Sequence, residues 1–174
     1  MLIELADRRR SLNLAGFAAC LTLLGMAYYL QFQQGLDPCP LCVFQRVGFF
    51  ALGGAFLGAG LQAPRRNGAR VYAVMLLAIA AAGGALAGRH IWIQSLPPGQ
   101  VPACGPGLDY MLETFPLWDT ARMVLQGSGE CAQVDRLLGV SIPVWSLAGF
   151  IALGIAGVLV NWGRQRSHRP GVRP

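Results

Sequence analysis

Two cysteines three residues apart, Cys39-Pro40-Leu41-Cys42, stand at the start of a long apolar run, and Arg46 follows one helical turn later. Sulfurs at that spacing can close into a disulfide or share a metal. At a helix start the free backbone N–H groups and the positive end of the dipole favour a thiolate. Arg46 lies four residues after Cys42, on the same helix face. It places a permanent positive charge beside that sulfur or beside an anionic ligand. The motif on its own is compatible with redox or metal chemistry next to a fixed cation.

The elements that must position these residues are membrane spans. Of 174 residues, 54% are hydrophobic and only 13% are charged, with a mean hydropathy of +0.47. A soluble domain of this size carries about 25% charged residues. Four apolar runs are long enough to cross roughly 30 Å of hydrocarbon: about 12–30, 43–61, 71–88 and 142–162. The first continues past the cleavage-like Gly25-Met26-Ala27, so it reads as a span rather than a signal peptide, despite Arg8-Arg9-Arg10 before it. The third carries Gly83-Gly84, which permits close helix contact. The fourth has Pro143 near its start and Trp145 and Trp162 as interfacial anchors. The chain is expected to be one domain over residues 1–174, an all-α four-helix transmembrane bundle.

Arginine placement orients it. All the basic side chains are Arg, and the formal charge is +6. They cluster before span one, between spans two and three (Arg65, Arg66, Arg70) and after span four. Short clusters between apolar runs do not form a nucleic-acid face. By the positive-inside rule, segments 1–11, 62–70 and 163–174 are cytoplasmic and both termini face inward. The loops at about 31–42 and 89–141 face outward and carry most of the acidic residues. Cys39, Cys42, Cys104 and Cys131 therefore share one side, which in a bacterial inner membrane is the oxidising periplasm. Cys20, mid-span, reads as a small buried apolar residue.

Three readings of the outer cysteines follow. Cys104 and Cys131 could be a structural staple, closing a loop of about 28 residues for roughly 3–4 kcal/mol. Four cysteines could hold zinc, although only one pair has the C-x-x-C spacing. The third reading is two disulfides exchanging in series. Cys104 lies in a Pro/Gly-rich, exposed segment (Pro97-Pro98-Gly99, Pro102, Gly105-Pro106-Gly107) that an external thiolate can reach. Cys39-Cys42, against the bilayer, is better placed to meet a lipid-soluble electron acceptor. Between Cys104 and Cys131, Leu108, Met111, Leu112 and Phe115 recur at helical spacing, and Leu117, Trp118, Met123, Val124 and Leu125 follow Pro116. That pattern predicts a short amphipathic helix in the second outer loop, on the membrane surface or packed on the helix ends. Gly35 and Asp37-Pro38 read as turn residues before the C-x-x-C.

With these features together, the chain resembles the DsbB family of membrane quinone reductases that reoxidise a periplasmic dithiol oxidase. The resemblance covers nearly the whole chain. It rests on Cys39-Pro40-Leu41-Cys42 with Arg46, on Arg89-His90-Ile91-Trp92, on Cys104 and Cys131, and on Pro143-x-Trp145. It implies redox-active pairs Cys39–Cys42 and Cys104–Cys131. A reduced DsbA-like thioredoxin-fold partner attacks Cys104, Cys131 attacks Cys39, and Cys42 passes electrons to ubiquinone or menaquinone. Arg46 would bind the quinone, with His90 as a second candidate; the other reading of Arg89 and His90 is interfacial anchoring of span three. Gln45 stands where some relatives carry an acid, and no general-acid role is assigned to it. A partner poised near about −120 mV requires an acceptor stronger than a glutathione-like couple. No flavin or nucleotide motif appears and no metal is expected, so the oxidising power must come from outside the chain. The competing readings are a vitamin-K-epoxide-reductase-like enzyme, whose C-x-x-C sits later in the chain, and a claudin-like scaffold with structural disulfides. An ionisable residue at the membrane edge argues against the scaffold.

Overall fold

The computed structural model describes residues 2–36, 38–97, 100, 108–127 and 129–162. Four long helices dominate it: α1 (Leu2–Gln34), α2 (Pro40–Gln62), α3 (Arg66–Gln94) and α6 (Ile142–Trp162). Each contains a stretch long and apolar enough to cross a membrane: Asp7–Gln34, Pro40–Gln62, Asn67–Gln94 and Ile142–Trp162. The first three helices run beyond the spans expected from hydropathy. Polar ends such as Gln31 and Gln34, or Arg89 and His90, do not stop a helix that already has its backbone bonded.

The turn into α2 is made by Gly35 at φ +63°, a left-handed conformation that glycine adopts without Cβ strain. Cys39 is the N-cap of α2 and Pro40 opens it, where a missing N–H costs nothing. The helix thus begins inside the C-x-x-C rather than after it. It ends at Ala63, whose N–H bonds back to the Ala59 carbonyl.

Between α3 and α6 the amphipathic pattern forms two short helices rather than one, α4 (Leu108–Thr114) and α5 (Leu117–Gln126). Pro116 separates them, having no N–H to continue the ladder. Met111 and Val124 point inward and are buried, whereas Leu117 and Trp118 are exposed. The Thr120 hydroxyl donates to the Met111 carbonyl at 3.0 Å, tying the two helices together. A 3-10 turn (Gly129–Ala132) follows, and then an antiparallel pair, β1 (Arg136–Leu137) and β2 (Val140–Ser141). The pair was not expected from sequence. Leu138 and Gly139 both have positive φ, +55° and +83°, as a two-residue hairpin turn with matching twist requires. Trp145 Nε1 donates to the Leu137 carbonyl at 3.2 Å and pins this hairpin to α6.

Small residues let the long helices approach. The rings of Phe49 and Phe150 stack at 4.0 Å, and Phe150 lies directly over Gly83. A Cβ at Gly83 would collide with that ring, while one at Gly84 would meet nothing nearer than Leu147 at 3.7 Å. At the end away from the cysteines, Asn13 and Asn161 are buried and exchange amide hydrogen bonds of 2.9 and 3.2 Å, clasping α1 to α6. Gly83→Ala is expected to cost about 1–3 kcal/mol through overpacking, whereas Gly84→Ala is neutral or stabilising. Thermal unfolding of the two variants in detergent compares them directly.

Candidate active site

The site begins with how α2 starts. As N-cap, Cys39 presents its Sγ to the free N–H groups of the first turn, and the Cys42 N–H points at it at 3.4 Å. The two sulfurs lie 3.1 Å apart. Leu41, between them, is fully buried in a cluster with Cys39, Ile93, Met111, Val124 and Cys131. The motif is therefore held from below by packing, and its sulfurs are placed by the helix turn above.

His90, in the last turns of α3, reaches into this centre and is 2% exposed. Its Nε2 is 3.8 Å from Cys39 Sγ and its Nδ1 3.9 Å from Cys42 Sγ. Nε2 also lies 3.1 Å from the Cys131 carbonyl oxygen. Gln45, one turn along α2 and 3% exposed, places its side-chain nitrogen 3.3 Å from Nδ1. One ring thus joins α2, α3 and the 3-10 turn that carries Cys131. Neighbours on α3 reinforce the junction. Arg89 donates to the carbonyls of Leu125 and Gln126, both at 3.1 Å, while its guanidinium lies 4.2 Å from the Trp92 ring centroid. Gln94 donates to the Gln133 carbonyl at 3.0 Å. Arg89 hence serves the open carbonyls at the C-terminus of α5.

Arg46 points the other way. Its guanidinium donates to Gln31 Oε1 and to the Ala27 carbonyl at 3.3 Å, and lies 4.9 Å from the Tyr28 ring centroid. All three partners belong to α1. They fix the charge at the wall of an apolar cavity of about 320 Å³ between α1, α2, the hairpin and the start of α6. Cys42 lines the same cavity, with Leu30, Phe49 and Trp145 among its apolar surfaces. A second cavity of about 300 Å³ is polar and is lined by Cys39, His90, Gln94, Gln133 and Asp135. Cys42 borders both cavities; Cys39 and His90 border only the polar one.

Of the residues singled out in the sequence, the structure therefore gathers Cys39, Cys42, His90 and Cys131, and sets Arg46 on the opposite side of Cys42. Cys104 lies outside the described residues. Cys20 is buried in the helix core against Gly53 and Phe49. Gln45 and Asp135 were not singled out as site residues. Gln45 carried a signal, since a lone amide inside an apolar stretch must find a buried partner; the position of Asp135 depends on a hairpin that hydropathy does not reveal.

The ligand atoms of Cys39, Cys42 and His90 all lie within 4.8 Å of one another, close enough to raise a metal. Two thiolates on a tetrahedral zinc stand about 3.8 Å apart, given Zn–S bonds of about 2.3 Å. The observed sulfurs are closer than that, and both ring nitrogens already have partners. The arrangement suits making and breaking a sulfur–sulfur bond. Arg89→Leu is expected to free the end of α5 and raise amide exchange several-fold over residues 124–127, read by hydrogen–deuterium exchange.

Comparison with known proteins agrees. The family model described as "Disulfide bond formation protein DsbB" matches residues 9–160. A "Disulfide bond formation protein B" of Methylococcus capsulatus is 46% identical over 158 residues, covering 90% of this chain and 96% of its own length. One of Nitrosococcus oceani is 49% identical over 141 residues, covering 80% and 83%. "Disulfide bond formation protein B 1" of Pseudomonas aeruginosa is 44% identical over 144 residues, covering 82% and 88%.

Proposed function

The chain belongs to the DsbB family of disulfide bond formation proteins, and from that premise we propose that it is a quinone-dependent thiol oxidase of the bacterial inner membrane. Its cysteines face the periplasm and both termini face the cytoplasm. Its substrate is a reduced DsbA-like thioredoxin-fold oxidase. The observation that carries this reading is the position of Cys42, whose sulfur forms part of the wall between a polar cavity on the thiol side and an apolar one beside Arg46.

The partner's thiolate attacks Cys104, in the Pro/Gly-rich stretch of the chain, and releases Cys131. Cys131, on the turn bonded to His90, attacks Cys39 along the sulfur–sulfur axis and expels Cys42 as a thiolate. Four side chains then face the apolar cavity, with three distinct tasks. Cys42 presents electrons, Arg46 offers a fixed positive charge to a ring oxygen as it gains charge, and Leu30 and Phe49 exclude water. A bound quinone supplies the oxidising power, taking up two electrons and two protons as the partner leaves oxidised and the Cys39–Cys42 and Cys104–Cys131 bonds re-form. The cavity suits such a molecule: it is mostly apolar, large enough for a flat ring, and has Arg46 and Asp135 as the charged side chains of its lining. A scaffold with structural disulfides would need neither that cation nor a buried histidine beside the sulfurs.

Purified protein in detergent, given reduced partner and a short-chain ubiquinone, is expected to consume quinone absorbance as partner thiols disappear. Absence of quinone reduction refutes the proposal. Arg46→Ala is expected to raise the quinone KM by about 10- to 100-fold, the loss of a hydrogen bond to a charged group, while the partner complex forms as before. Equal weakening of both would make Arg46 a packing residue. Cys131→Ser is expected to leave the partner trapped on Cys104 as a mixed disulfide on a non-reducing gel; no adduct would reverse the order of exchange.

A further inference from the structure

Both ring nitrogens of His90 are engaged, and the two engagements differ. A carbonyl only accepts, so the contact between Nε2 and the Cys131 oxygen requires the proton on Nε2. In the neutral ring Nδ1 then offers a lone pair, and the Gln45 amide donates to it at 3.3 Å. The same Nδ1 faces Cys42 Sγ at 3.9 Å. Nδ1 is therefore the ring position that can change its proton, and it looks at the sulfur bordering the apolar cavity.

An amide is a particular partner for such an atom. By a half-turn of its terminal torsion Gln45 can offer either N–H or carbonyl oxygen, and so satisfy Nδ1 both bare and protonated. A carboxylate serves only the protonated ring, and an apolar side chain serves neither. From these contacts we infer that His90 is the acid–base group for Cys42 and that Gln45 is the residue that positions it. The ring takes the Cys42 proton at Nδ1, and Gln45 turns its oxygen to the new N–H. One S–H bond breaks and one N–H bond forms. A single proton moves, no electrons are exchanged, and two neutral groups become a thiolate–imidazolium pair. Cys39 and Cys42 on α2, Cys131 on the 3-10 turn and Asp135 across the polar cavity are the titratable groups around the ring, with Arg46 acting on Cys42 from the far side. None of their charges is altered by substituting Gln45. The inference rests on the proposed function: the ring that takes the Cys42 proton in the reduced protein is the one that keeps Cys42 a thiolate after Cys131 expels it, ready to hand electrons to quinone.

The test needs neither quinone nor partner. The reduced protein is labelled with ¹⁵N-histidine in a His168→Asn background, so that the ring signals belong to His90. Cys42 alkylation by N-ethylmaleimide is followed by peptide mass across pH. Gln45→Met, close in volume, is expected to slow Cys42 alkylation about fivefold near neutral pH, because the lost bond to the charged ring outweighs the lost bond to the neutral one. It should also deplete the doubly protonated ring signal, and Gln45→Glu should restore that signal. Unchanged alkylation in Gln45→Met overturns the inference. So does slowing with unchanged ring signals, which would make Gln45 a packing residue. If Gln45→Met does not fold, the unmutated protein still decides: a neutral ring carrying its proton on Nδ1 overturns the assignment, and one carrying it on Nε2 supports it. A failed quinone assay, by contrast, speaks only to the proposed function.

Discussion

The structure turns on one buried imidazole. His90 reaches both sulfurs of the C-x-x-C and the backbone carbonyl of Cys131. A neutral ring in a membrane-embedded bundle cannot leave its polar atoms unmatched without a cost of about 1–3 kcal/mol each. Its two nitrogens therefore dictate what must come near. One draws the Cys131 carbonyl, and with it the 3-10 turn, onto the end of α3. The other draws the Gln45 amide across from α2. The supporting bonds of Arg89 and Gln94 occur on the same helix end and hold the same segment. An outer loop that in sequence looks like a long free connection is thereby fastened at several points within two helical turns.

The second constraint is separation. Exchange between sulfurs needs polar surroundings in which a thiolate can form. The bundle sets Cys42 between two cavities of different character, one polar and one apolar. Arg46 belongs to the apolar side because α1 holds it there through Gln31, Ala27 and Tyr28. A charge anchored by neutral acceptors and an aromatic face keeps its field available. Pairing with a carboxylate would have cancelled it.

Much of this was legible in the sequence, and the rest failed for identifiable reasons. Long apolar runs fix spans, because each backbone group in hydrocarbon must bond within its own helix. Gly83 was legible as a close-contact position, and the C-x-x-C with Arg46 announced the chemistry. Helix ends were not legible: α3 continues through Arg89 and His90, since polar residues tolerate the interface and the helix persists where tertiary bonds reward it. Pro116 marked a break that periodicity alone ran through. The hairpin at Leu138–Gly139 lacks the usual Asn-Gly signal, so only its glycine hinted at it. His90 was singled out for the quinone; the structure sets it among the sulfurs, because which side of a helix faces which cavity depends on packing that spacing does not encode.

The motif's own spacing explains why two such different cavities can share one pair of sulfurs. Three residues along an α-helix turn through about 300°, so positions 39 and 42 are about 60° apart around the axis. That is near enough for the sulfurs to meet at 3.1 Å. It is also far enough that Cys39 meets only the polar cavity while Cys42 borders both. A spacing of four would stack both sulfurs along one face, and a spacing of two would put them on opposite sides, beyond bonding reach. Pro40 and Leu41 then have separate structural tasks between them. Pro40 opens the helix so that Cys39 becomes its cap, and Leu41 fills the cluster beneath so that the cap cannot rotate. The asymmetry is one of surroundings: the sulfur of the N-cap residue meets the polar cavity alone, and the sulfur one turn in meets the apolar cavity as well.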